Sequence, residues 1–211
     1  MEAGSAPLTT PGTPTGTQDK WGGGTPPFGM SWQKLMMWLF LAGDALLFVG
    51  FLASYGFIRL AGPAWPDQGE VFNMGYIGLM TFVLITSSAT MATAVGAAQR
   101  NDLGKARLFV LLTAVGGLAF LGFQANEWAG VIGEGARLTS NPWGEPAFSA
   151  FFFMITGFHG THVLIGVILL TIVTLRLGMG RTTAQGVELA GLYWHFVDLV
   201  WVFIFTFFYL L

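Results

Sequence analysis

Five stretches of the sequence run apolar for more than twenty residues each, and this pattern leaves few folds open. They cover about Leu35 to Leu60, Met74 to Ala98, Ala106 to Glu127, Ser149 to Thr174 and Leu189 to Leu211. A bilayer core of about 30 Å is crossed by about 20 helical residues. The connections carry what a membrane helix would not: Pro63, Pro66, Asp67 and Glu70; the polar QRNDLGK of 99–105; Gly133, Gly135, Pro142 and Pro146. Only 9% of the 211 residues are charged, against about a quarter in a soluble domain. The expected fold is all-α, a polytopic membrane bundle of five transmembrane helices.

Orientation follows from the basic residues. Lys20, Lys34, Arg100, Lys105, Arg107, Arg176 and Arg181 fall on one side, and only Arg59 and Arg137 on the other. Seven against two places the N-terminus in the cytoplasm and the C-terminus outside. Residues 1–30, rich in Thr, Pro and Gly, lack the apolar run of a signal peptide and read as a flexible tail. Residues 31–211 form the membrane domain. With no cysteine, disulfides and thiolate ligation are excluded, and nine scattered Lys and Arg do not suggest nucleic acid. In the second span Ser88, Ala92 and Gly96 recur every four residues, flanked by Ala89, Thr93 and Ala97. Such a stripe predicts close helix packing.

The spans hold few ionisable residues: Asp44, Glu127, His159, His162, His195 and Asp198. An acid at a membrane-helix centre costs about 2.5–3.5 kcal/mol, so each is a functional candidate. His159 and His162 share a helix face at i and i+3. Metal or haem ligation competes there with hydrogen bonding between helices or contact with a lipid headgroup. Three histidines are too few for a dinuclear centre, and an i, i+3 pair cannot clamp a haem from both faces. His195 and Asp198 can interact directly or through a third group, as a proton relay or as a structural lock; the residues favour the lock. Asp44 has no ionisable neighbour within a turn or two and must face a partner helix, a polar lipid or water. Glu127, at the expected outer end of the third span, is placed where the interface can solvate it.

The C-terminal YWHFVDLVW of 193–201 and TGFHGTHVLIG of 156–166 resemble subunit III of the haem–copper cytochrome oxidases. WLFLAGDALLFVGFLASY at 38–55, LITSSAT at 84–90 and FQANEW at 123–128 add to the resemblance, in the family's order. The chain looks like the shorter bacterial form, with five helices rather than seven.

The resemblance implies a non-catalytic subunit of a proton-pumping cytochrome c oxidase in the bacterial cytoplasmic (inner) membrane. Such a subunit packs on subunit I near a proton-uptake pathway, assembles with subunit II and further small subunits, and binds structural phospholipid. Haems and copper belong to partner subunits, with no cofactor or metal in this chain. Carried over by position, Asp44 falls where many members have a buried glutamate that reacts with carbodiimides and supports proton uptake. Phe40, one turn earlier, falls where an aromatic contacts lipid. Arg176 falls where a lipid phosphate binds, with His162 two to three turns deeper on that helix. His159, His195, Asp198 and Glu127 are taken as structural polar residues. Asp44 in place of glutamate resembles the quinol-oxidising branch, so subunit III of a quinol oxidase is the first alternative. A related accessory protein of nitric oxide reductase is another, and a haem-carrying membrane cytochrome is more distant. The missing helix pair removes one wall of the family's lipid cleft.

Overall fold

The computed structural model describes residues 30–62 and 65–211. The expected tail, except Met30, lies outside the described residues, as do Pro63 and Ala64. Five long helices carry the chain back and forth: α1 (Trp32–Ala61), α3 (Met74–Gln99), α4 (Leu103–Gly133), α5 (Pro146–Gly178) and α6 (Ala184–Ile204). A single extra turn, α2 (Gln68–Val71), lies in the first connection, and α6 continues as a wider π-helical segment over Phe205–Leu210. All five are long and apolar enough to cross a membrane, and no named strand occurs among the described residues.

Local chemistry sets the helix starts. The side chains of Ser31, Asn73, Asp102 and Thr183 accept hydrogen bonds from the amides of Lys34, Tyr76, Lys105 and Gly186, the N-cap role that these residue types favour. The Lys105 amide and ammonium hold the exposed Asp102 carboxyl below its usual range. Pro146 occupies the first turn of α5, where its missing N–H costs nothing. At 26 to 33 residues, α1, α3, α4 and α5 measure about 39–50 Å. Each outruns an apolar core of about 30 Å, so hydropathy alone underestimates them. The third span shows this most clearly, since α4 continues to Gly133, six residues past the expected end at Glu127.

Helices α3 to α6 form a closed four-helix ring, α3 against α4 and α6, and α5 against α4 and α6; α1 lies outside it, against α5 and α6. Lipid gives apolar faces no reason to associate, so close packing and hydrogen bonds must hold the ring. Trp194 supplies both. Its fully buried indole lies so close to α4 and α5 that a Cβ on Gly117 would come within 2.4 Å of it, and one on Gly166 within 2.9 Å. Only glycine fits at these two positions.

The small-residue stripe behaves differently from the sequence expectation. Ser88 and Ala97 are buried, but Ala89, Ala92 and Thr93 point outward. The close approach of α3 to α4 uses Ser87 instead, against Gly116, where a Cβ would meet the serine Cβ at 2.7 Å. The contact face of α3 lies about one residue round from the predicted one.

Candidate functional site

The structure distributes five of the six candidate polar residues, all but His159, into three separate contacts, each tying helices together. The first joins α1 to α5. Asp44 is only 7% exposed, and its Oδ1 lies 3.3 Å from His162 Nε2. The acid that stands alone in its own helix thus finds its partner in another. His162 Nδ1 is 2.9 Å from the Phe158 carbonyl. A carbonyl cannot donate, so Nδ1 carries the hydrogen. With Nδ1 committed to Phe158, Nε2 is the ring nitrogen left to meet the Asp44 carboxyl. Asp44 Oδ2 is buried without a hydrogen-bond partner among the described residues. Phe48 and Phe158 pack on the imidazole, and the Tyr193 hydroxyl donates to the His162 carbonyl.

The second contact joins α6 to α3 and resolves how His195 and Asp198 interact. No ion pair within 4.0 Å links them; His195 Nδ1 instead lies 2.6 Å from the Ser88 hydroxyl, which also interacts with Asp198. Ser88 is the third group. Two tryptophans of the same motif reach the same helix, with Trp194 Nε1 donating to Ser87 Oγ (3.1 Å) and Trp201 Nε1 to Thr81 Oγ1 (3.0 Å). The motif is thus a seam of polar contacts along α3. Trp194 and Trp201 are seven residues apart, two helical turns, and this spacing was the signal that they share a face.

The third contact corrects the placing of Glu127. It is not solvated at a helix end but 8% exposed, with its Oε2 accepting from the Tyr209 hydroxyl at 3.2 Å. Nearby, Gln124 donates to the Thr156 carbonyl and Trp128 to the Thr156 hydroxyl. These bonds to α5 hold α4 helical beyond the point where hydropathy falls.

His159 and His162 share a face yet meet different surroundings. His159 is fully buried between Phe48, Phe120 and Trp201, and neither ring nitrogen has a hydrogen-bond partner among the described residues. His162 has both nitrogens committed, and His195 belongs to another cluster. No three His, Asp or Glu among the described residues are placed to hold a metal ion.

Phe40 is half exposed and stacks on Tyr193 (ring centroids 6.3 Å apart). Arg176, at the last turn of α5, is exposed. It lies fourteen residues beyond His162, about 21 Å or nearly four turns, rather than two to three. Asp44, twelve residues into α1, is likewise about 18 Å from the start of that helix. Beside it, two adjoining apolar grooves between α1 and α6, of about 470 and 380 Å³, share Ala45, Phe196 and Leu199.

Residues 22–211 match the family model for cytochrome c oxidase subunit III. The chain is 36% identical over 182 residues to quinol oxidase subunit 3 of Bacillus subtilis (strain 168), covering 84% of this chain and 86% of that protein. Identity is also 36% to cytochrome c oxidase subunit 3 of Bacillus sp. (strain PS3), with 84% of each covered. A probable cytochrome c oxidase subunit 3 of Mycobacterium bovis is 35% identical, over 80% of this chain and 82% of its own length. This multi-pass membrane chain belongs to the cytochrome c oxidase subunit III family.

Proposed function

We propose that the chain is the non-catalytic subunit III of a proton-pumping haem–copper cytochrome c oxidase, seated on subunit I and assembled with subunit II and smaller subunits. One observation carries this reading: His162 and His195 are engaged in contacts between or within helices, and His159 is walled in by rings, so no donor set gathers at an open cavity. That arrangement suits a subunit that supports chemistry carried out elsewhere. A haem-carrying cytochrome would need imidazoles on both faces of the ring, whereas the one histidine that lines a groove, His195, has no second histidine beside it there. A quinol oxidase is the second reading, favoured by Asp44 and by the Bacillus subtilis relative. The basic end of the bundle, with Lys34, Arg100, Lys105, Arg107, Arg176 and Arg181 against Asp102 and Glu188, supports a cytoplasmic N-terminus in a bacterial inner membrane.

Purification through a tag on this chain should bring down haem-bearing subunits, with a copper-A centre for the cytochrome c reading and without one for the quinol reading. Recovery of the chain alone from aerobic membranes, under conditions that keep oxidase activity, would count against both.

Structural phospholipid is part of the proposal. The grooves between α1 and α6 suit acyl chains, and the Arg176 guanidinium suits a phosphate at headgroup depth through two parallel charge-assisted bonds. Phe40 lies exposed on the wall of α1. Asp44 and His162 face each other deep in the bundle, so the lipid contact rests on Phe40 and Arg176. For Asp44 the buried contact with His162, 3.3 Å away, supports a part in proton uptake. Arg176→Lys keeps the charge but loses the fork, and should weaken lipid retention by about tenfold and shorten activity during turnover. Unchanged phospholipid content and activity half-life in the purified complex would reduce Arg176 to an anchor.

A further inference from the structure

Opposite the basic end, the bundle carries a surplus of acid. Asp67, Glu70, Glu127, Glu134 and Glu145 stand there against Arg59 and Arg137 alone. Both arginines are occupied. Arg59 donates to the Tyr55 hydroxyl and the Leu211 carbonyl, and Arg137 to the carbonyls of Ile132 and Ala136.

Within this end a cavity of about 250 Å³ opens between α3 and α4, lined by Asn73, Tyr76, Asn126, Glu127 and Glu134 among others. Glu127 on α4 and Glu134 at its C-cap are seven residues apart, about two turns along the helix. Glu127 is 8% exposed, and while Tyr209 serves its Oε2, its Oε1 is buried with no hydrogen-bond partner among the described residues. Glu127 lines the cavity, and a buried carboxylate oxygen without a partner calls for a donor.

We infer that this cavity receives a basic side chain, lysine or arginine, from a neighbouring oxidase subunit. The inference rests on the proposed assembly into an oxidase. Size favours a side-chain cation, since the space equals roughly eight waters at about 30 Å³ each, generous for a bare ion. Depth favours it too. Glu127 lies 24 residues beyond the start of α4, about 36 Å, past an apolar core of about 30 Å and within reach of an extramembrane segment. A lipid amine would carry its phosphate towards Glu134 and meet like charge. With Oε2 already bonded to Tyr209, one oxygen remains, enough for an ammonium or for one N–H of a guanidinium.

The test is the rate at which the chain leaves the purified complex in detergent at fixed ionic strength. Glu127→Gln keeps shape and an acceptor for Tyr209 but removes the charge, and should speed dissociation at least about tenfold, as for loss of one member of a buried ion pair. Tyr209→Phe removes only the internal bond and should dissociate within about threefold of wild type. If Glu127→Gln leaves at the wild-type rate, or Tyr209→Phe loosens the chain equally, the residue serves only its own bundle and the inference fails. It fails also if delipidation abolishes the difference between wild type and Glu127→Gln, since the cation would then be a lipid amine. In each of these cases the wild-type chain still copurifies with its partners, so the proposed function survives. Only failure of the wild-type chain to copurify would remove both.

Discussion

Trp194→Ala should destabilise the bundle by about 3–5 kcal/mol, the range for deleting a fully buried large aromatic. The upper part of that range is expected because the void has no means of collapsing. Its walls at Gly117 and Gly166 carry no side chain that could swing in, and the indole bond to Ser87 is lost as well. Trp194→Phe keeps most of the ring and should recover more than half of the loss. Denaturant unfolding of the purified complex in detergent, followed by helical circular dichroism of the released chain, measures both. Equal losses for the two variants would mean that the hydrogen bond, not the volume, holds the site.

Asp44→Ala should cost about 3–5 kcal/mol, because removing one member of a buried pair leaves the other uncompensated. His162→Ala should cost a similar amount. The double variant should cost clearly less than the sum, with a coupling of about 0.5–3 kcal/mol. The stability of the assembled chain in all four forms closes the cycle. Strict additivity would show that the 3.3 Å contact carries no energy.

The number and the helical nature of the spans were legible because lipid leaves the backbone no alternative to internal hydrogen bonding. The ends were less so. Hydropathy stops near Glu127, but tertiary bonds from Gln124, Glu127 and Trp128 continue α4 to Gly133. The family motifs marked where the polar contacts would be, yet not what they touch. His195 and Asp198 are visibly paired at i, i+3, while Ser88, which interacts with both, lies 107 residues from His195. Asp44 gave no local hint of His162, since the contact exists only after α1 docks on α5. Small polar side chains such as Ser87 and Thr81 are ordinary in a membrane helix until an indole points at them. What sequence spacing conveys is the face of one helix; which neighbour fills it is decided by the whole bundle.

The position of α1 outside the ring has a consequence for its alignment. Oily side chains are nearly interchangeable to a helix in lipid, so an apolar rod could slide along its neighbours at little cost. Here α1 is fastened at three heights: Lys34 to Glu188 (2.6 Å), Asp44 to His162, and Arg59 to the Leu211 carbonyl. The fastenings are ten and fifteen residues apart, so they work like the marks of a vernier scale. A slip of one turn, about 5.4 Å, would misalign all three at once, and no other setting brings them back together. The first helix is thereby given a single admissible register, written in three polar residues on a face that is otherwise free to glide.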